Sequence, residues 1–405
     1  MLIPRDAKIV IAATSLRSFV FGYLIVLHAI FLAGLGFNAL DIGILITMAS
    51  LSSAILSLGG SLMADRYGRK NSLIFFGSLM TIGSALYVVT SDYFLLIFAS
   101  VIGLIGSGSG AGGVSGPFGA IQQALLADET TEKERNSVFS INSFTATLAQ
   151  SLGALSAGLP IIFQELLLLD ILDAQRSMFA LAAGLGIVYV VIVTFIREPR
   201  RPKPKKIIPV KSSRVILKFS TFRAFDGLGA GTFNFLLAYW FFVRYNVDLA
   251  ELAIVFALSE LLAAIAMLTA GKLADRFGSL NAIVATHIPA IAMTVILPFA
   301  PEFSIAAVFM IARVIFGSMD IPLKQAYLMS VVSPEERASA AGITNLVTLI
   351  PQSMGATVTG YLFQFVSLAS PFFISGLLKT GSYSYLYFAF RKVKPIREMP
   401  RNDSR

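Results

Sequence analysis

Arg17, Arg223, Asp226, Glu260, Arg313, Asp320 and Lys324 each stand inside a long apolar run. An ionisable group in hydrocarbon costs several kcal/mol unless it faces protein or water, so each is a functional candidate. Arg17 follows Lys8 by roughly 13 Å of helix, near the middle of a bilayer. A guanidinium stays protonated and offers forked donors suited to carboxylate or phosphate. Arg17 and Arg223 fall at comparable depths of the first and seventh runs, so they are candidates for holding an anion. Ion pairing is the plainer reading, since Asp226 lies three residues after Arg223 on the same helix face. Glu260 sits mid-way along its run with no basic residue within a turn, which suits the loading and release of a proton. Asp226 and Asp320 are the further candidates for that role. Asp320 and Lys324 can pair at i,i+4, and Arg313 roughly shares their face; a structural charge network is the plainer reading there, with Arg313 the candidate for substrate contact. The amides of Gln123, Asn142, Asn234 and Asn345 could hydrogen-bond a substrate, though helix–helix contacts explain them equally well. His28 and His287 stand far apart, so no metal site is expected, and no cofactor.

The surroundings of these residues define the solvent. The chain of 405 residues is 56% hydrophobic and 14% charged. No ordinary soluble domain has that balance, so most of the chain faces lipid. Without cysteine there is no disulfide and no thiolate chemistry. The run from Ile9 is too long, and lacks the cleavage site, for a removed signal peptide. Twelve runs of about 20 apolar residues lie between charged or turn-rich breaks. They cover 8–34, 40–64, 72–90, 93–127, 137–163, 178–196, 215–243, 249–274, 281–300, 303–329, 338–366 and 370–390. Basic residues concentrate in alternate loops, which places both termini in the cytoplasm.

The chain also repeats itself. SLMADRYGRK from Ser61 is echoed by GKLADRFGSL from Gly271, half a chain length later. ERNSVFSINSFTATLAQSLGALSAG from Glu134 is echoed by ERASAAGITNLVTLIPQSMGATVTG from Glu336. Two copies of one membrane unit follow. The expected division is an N-terminal six-helix bundle (1–196), a basic linker (197–214), a C-terminal bundle (215–390) and a basic tail (391–405). The linker, REPRRPKPKKIIPVKSSR, reads as a solvated tether resting on anionic headgroups rather than as a nucleic-acid site. Gly108 to Gly113 matches G-x-G-x-x-G but lies within an apolar run. Small-residue helix packing explains it better than a dinucleotide. No arrangement of residues suggests an enzyme.

With twelve spans, a six-plus-six duplication, a basic central loop and the G-x-L-A-D-R-x-G-R-K turn after spans two and eight, the chain resembles the major facilitator superfamily. The first copy has Ser61 for the opening glycine, and the second has Ser279-Leu280 for the basic pair. The resemblance implies an all-α integral membrane protein, twelve transmembrane helices in two pseudo-symmetric six-helix bundles. It implies a cavity lined by spans one, four, seven and ten, where Arg17 and Arg223 would meet. It also implies a cytoplasmic latch of Asp65, Arg66, Gly68, Arg69, Lys70, Glu134 and Arg135, with Gly271, Asp275, Arg276, Gly278, Glu336 and Arg337 in the second half. Asp65 can face a helix N-terminus, and the basic residues can pair with acids such as Glu134.

The function so implied is secondary active transport by alternating access, with proton coupling, of a small organic or phosphorylated anion. The alternative is a drug:proton antiporter exporting amphipathic compounds through Phe19, Phe21, Tyr23, Phe233, Tyr239 and Trp240. Span four lacks an arginine and span five the glycine-proline pattern of many such antiporters. The expected partners are a small-molecule substrate, protons and membrane lipid, without nucleic acid, for a monomer in the plasma membrane.

Overall fold

The computed structural model describes residues 4–107, 116–129, 132–197, 211–333 and 336–393. The glycine-rich stretch 108–113, most of the linker and the end of the tail lie outside them. So do the side chains of Asp65, Glu134 and Arg135.

The described residues are helical, without a strand among them. The first bundle comprises α1 (Arg5–Gly34), α2 (Ala39–Tyr67), α3 (Arg69–Val89), α4 (Tyr93–Gly103), α5 (Gly116–Glu129), α6 (Glu132–Ser156), α7 (Leu159–Leu167) and α8 (Ile171–Thr194). The second comprises α9 (Ser213–Asn234), α10 (Leu237–Tyr245), α11 (Leu249–Phe277), α12 (Ser279–Ile296), α13 (Phe303–Val331), α14 (Arg337–Phe365) and α15 (Ser370–Phe390). Pairs α4/α5 and α9/α10 each make one span, and α7 continues α6, so the twelve expected spans are present. The run 215–243 breaks at Phe235–Leu236 instead of continuing. Gly227, Gly229 and Gly231 precede the break and weaken helix propensity there.

The duplication is visible in how helices start and stop. Both α2 and α11 contain 29 residues. Asn38 caps α2, its side chain accepting from Asp41 N at 3.0 Å, while Asp41 accepts from Asn38 N at 3.4 Å. Asp248 and Glu251 build the same reciprocal cap on α11, at 2.8 and 3.1 Å. Each helix ends at a glycine with positive φ, +95° at Gly68 and +80° at Gly278. A side chain is strained there, so glycine permits the sharp reversal into α3 and α12. These ends define two faces, the cap face and the turn face.

Small residues set the closest crossings. A Cβ on Gly153 of α6 would strike the Phe19 backbone of α1, and one on Gly355 of α14 would strike the Gly231–Thr232 backbone of α9. The same crossing thus recurs in both bundles. Among the described residues, eight helical stretches are long and apolar enough to cross a membrane by length and composition alone. Long α9 carries Arg223 and Asp226, and α15 carries Lys379; both turn those polar groups toward protein.

The bundles meet along α2 with α14 and α6 with α11. Thr47 donates to the Ser353 carbonyl at 2.9 Å and accepts from Thr357 N at 3.0 Å. Ser151 donates to the Ala257 carbonyl at 2.8 Å. Thr47 is only about 12 Å of helix from the cap-face end. One hydrophobic core at the cap face unites both bundles, with Tyr23, Leu27 and Phe31 of α1 clustered with Trp240 and Phe241 of α10. Toward the turn face the core splits. Val10, Phe76, Phe118 and Tyr189 belong to one bundle, and Phe222, Ile283, Tyr327 and Phe390 to the other. The two bundles are therefore packed together at the cap face and have separate cores at the turn face.

Candidate functional site

Polar residues inside the second bundle converge where α9, α12, α13 and α15 pack. Asp226 of α9 is 4% exposed and accepts from three cations. Arg223 Nη1 and Lys324 Nζ reach its Oδ2 at 3.1 and 3.0 Å, and Lys379 Nζ reaches Oδ1 at 2.8 Å. Gly229 leaves room for the Lys379 stem, whose Cγ would lie 3.1 Å from any Cβ there. Asp320 of α13 is 1% exposed. Its Oδ2 contacts Lys324 Nζ at 3.1 Å and accepts from the Tyr383 hydroxyl. His287 Nδ1 lies 2.9 Å from the same oxygen, off the line of a full hydrogen bond. The His287 ring stacks on Tyr383, centroids 3.8 Å apart and planes 8° apart. Lys324 also donates to the Tyr383 hydroxyl at 3.2 Å, tying the two carboxylates together.

Three cations on two carboxylates leave this cluster with excess positive charge. Arg313 of α13 adds to it. Its guanidinium lies 4.0 Å from the centroid of the Phe233 ring and is only partly buried. It makes no hydrogen bond or ion pair among the described residues. A cation on an aromatic face is held by about 0.5–2 kcal/mol, with its N–H donors still available. The arrangement can bind an anion: fixed cations, partial desolvation and a donor set left open.

Arg223, Asp226 and Asp320 are thus brought into one cluster, and Arg313 stands beside it on the Phe233 face of α9. Arg17 is placed elsewhere. It is 2% exposed inside the first bundle, 4.8 Å from the Phe118 ring centroid and 5.4 Å from that of Phe21. Glu260 is half-buried on α11 and makes no hydrogen bond or ion pair among the described residues. Asn142 is buried, Gln123 half-buried, and Asn234 and Asn345 are exposed.

In the charged turns the described contacts stay within a bundle. Arg69 donates to the Ala124 carbonyl of α5 at 2.8 Å, and Lys70 donates to the Thr194 carbonyl of α8. The second places a cation at the C-terminus of α8, where the dipole favours it. Glu336 accepts from Lys211 N and Ser212 N, both at 2.8 Å, capping the start of α9. Arg66 and Arg276 are exposed over Tyr67 and Phe277; Asp275 is exposed and Arg337 half-buried. Gly271 has open space beside it.

Sequence reasoning did not find Lys379, His287 and Tyr383 as members of the cluster. Lys379 carried a signal, because a lysine within an apolar span needs an acid partner. His287 and Tyr383 carried none, as either is compatible with ordinary packing.

Helices that cross a membrane as two related bundles, with buried charge held inside them, define a multi-pass membrane transporter. The chain belongs to the Major Facilitator Superfamily, whose family model matches residues 9–301 and 219–403. It is similar to an uncharacterised membrane protein of Saccharomyces cerevisiae, 21% identical over 92% of this chain and 91% of that one. It is also similar to the quinolone resistance protein NorA of Staphylococcus aureus, 21% identical over 87% of this chain and 88% of that one. Among solved structures, a D-xylose-proton symporter has the same fold, with a TM-score of 0.74 at 15% identity, covering 96% of this chain and 98% of that one.

Proposed function

We propose that the chain is a proton-coupled secondary transporter of a small organic or phosphorylated anion, working by alternating access. The observation that carries this reading is the open, ring-stacked guanidinium of Arg313 beside a cluster already rich in positive charge. Arg313 makes the first contact with the anion. Arg223 and Arg17, each occupied within its own bundle here, engage as the bundles close over it. Basic residues gather on the turn face, so that face and both termini are cytoplasmic. The separate turn-face cores then correspond to a state open to the cytoplasm. The bundles 1–196 and 215–390 rock as units about the α2–α14 and α6–α11 contacts. The charged turns, including Asp65, Glu134 and Arg135, latch the cytoplasmic side in the opposite state. Glu260, without a partner among the described residues and on a helix packed against α13, carries the coupling proton. The protein acts as a monomer in the plasma membrane.

The similarity to NorA favours a second reading, drug:proton antiport of amphipathic compounds. Most of the aromatics it would use are engaged in packing, with Phe21, Tyr23, Phe233 and Trp240 all below 5% exposure.

Uptake of lactate and glycerol 3-phosphate into proteoliposomes under an imposed pH gradient tests the reading. Arg313→Gln is expected to slow anion transport by about tenfold or more, the worth of one charge-assisted hydrogen bond. Equal rates for every anion in that variant would remove the basis of the proposal. Binding of ethidium but of no anion would favour the second reading. Glu260→Gln is expected to keep anion exchange at equal pH while losing proton-driven accumulation. Undiminished accumulation would take Glu260 out of the coupling role.

A further inference from the structure

We infer that the two seams joining the bundles are unequal: α2–α14 is a pivot that stays joined, and α6–α11 is the seam that parts when the cap face opens. The inference rests on the alternating-access reading above and on no particular substrate. The repeat allows the seams to be compared position by position. Gly68 corresponds to Gly278 and Gly153 to Gly355, so α2 answers to α11 and α6 to α14. In that register Thr47 matches Ala257, Gly43 matches Ala253, Thr357 matches Leu155, Ser353 matches Ser151 and Gly360 matches Gly158. Three positions that carry hydroxyls or glycine at α2–α14 thus carry alkyl side chains at α6–α11.

The bonding follows those substitutions. Thr47 donates to the Ser353 carbonyl at 2.9 Å and accepts from Thr357 N at 3.0 Å, so its hydroxyl touches both ends of one rung of the α14 ladder. The Thr357 hydroxyl donates to it as well, at 2.7 Å. One donor and two acceptor positions are then all used, which is the full capacity of a hydroxyl. At α6–α11 the Ser151 hydroxyl makes a single donation, to the Ala257 carbonyl at 2.8 Å. Backbone spacing differs in the same sense. A Cβ on Gly43 would strike the Ala356 carbonyl and one on Gly360 the Ala39 carbonyl, so α2 and α14 touch backbone to backbone. A Cβ on Gly158 would meet Ala250 Cα at 3.2 Å. Beside that contact lies a groove of about 430 Å³ between α6, α7 and α11, lined by Leu155, Leu159, Ile162 and Ile254 among others. Parting α2 from α14 forfeits a shared hydroxyl network in hydrocarbon, where no water replaces it. Parting α6 from α11 forfeits one hydrogen bond and widens a groove that is already there.

The chain has no cysteine, so spin labels can be placed in pairs on the full-length protein without background. The pivot pair, Met48→Cys/Met354→Cys, stands beside Thr47 and Ser353. The groove pair, Leu155→Cys/Ile254→Cys, stands across the other seam. All four native side chains are exposed, so labels there leave the packing intact. Distances between labels are read by electron–electron double resonance in nanodiscs, at about pH 5 and 8, with and without glycerol 3-phosphate. The groove pair is expected to gain a longer component while the pivot pair keeps one distance. Ser151→Ala is expected to raise the longer component about threefold, the worth of one interhelical hydrogen bond in a membrane. Thr47→Val, which keeps the shape of the side chain without its hydroxyl, is expected to let the pivot pair lengthen too. Equal lengthening of both pairs in otherwise native protein, or lengthening of the pivot pair alone, overturns the inference and leaves alternating access standing. A groove pair indifferent to Ser151→Ala, or a pivot pair indifferent to Thr47→Val, overturns it equally. If neither pair lengthens under any of these conditions, the cap face does not open, and alternating access falls with the inference.

Discussion

Gly355→Ala and Gly153→Ala each abolish recovery of folded, monodisperse protein. A methyl at either position meets backbone rather than a movable side chain, with Gly231 and Thr232 opposite Gly355 and Phe19 opposite Gly153. Backbone can yield only if the whole helix moves, which separates α14 from α9 or α6 from α1 and undoes the crossing that centres each bundle. The expected cost is at least about 3 kcal/mol, the upper end of the overpacking range. Gly271→Ala and Gly381→Ala are the controls, since nothing lies within 4 Å of a Cβ at either. They should be neutral or stabilise by up to about 1 kcal/mol, because alanine is the better helix former. Size-exclusion profiles and thermal melting in detergent separate the two groups. A Gly355→Ala protein that melts like wild type would show that the helices do not touch backbone to backbone.

Asp226→Asn is expected to be the most damaging change among the charged residues. It removes the one carboxylate shared by Arg223, Lys324 and Lys379, and strands buried cations with Asp320 alone. Breaking a buried pair by removing one partner costs about 3–5 kcal/mol, since the remaining charge is uncompensated. Lys379→Met alone should cost less, because Asp226 keeps two cations. The double variant Asp226→Asn/Lys379→Met should recover part of the loss, which a double-mutant cycle on melting temperature measures. Because the pairs are buried, added salt should rescue neither single variant. If Asp226→Asn is as stable and active as wild type, that carboxylate does not hold the cluster together.

The interior of the second bundle separates what could be read along the chain from what could not. Arg223–Asp226 and Asp320–Lys324 were legible because helix periodicity puts residues three and four apart on one face. The 3.1 Å separations of both pairs agree with that. The junction of these two pairs through Lys324 and Asp226 was not legible, because it depends on how α9 and α13 are turned toward each other. Lys379 stands inside the last apolar run. It is a third cation on Asp226, reaching it across the packing of α15 on α9. Arg17 and Arg223 stand at equal depth in related spans, but depth along a helix does not specify the direction a side chain takes, and Arg17 turns into its own bundle.

The sequence by itself determined the solvent, the number of spans, the duplication and the local devices that begin and end helices. Each depends on composition or on residues within a turn of one another. The reciprocal caps at Asn38 and Asp248 and the glycine reversals at Gly68 and Gly278 are of this kind. Only the tertiary structure decided which charges meet, which guanidinium is left open and which face of the molecule is closed. Those depend on the rotation and tilt of whole helices. That rotation and tilt are set by backbone contacts at Gly153 and Gly355 and by apolar packing at the cap face, between residues that lie up to hundreds of positions apart.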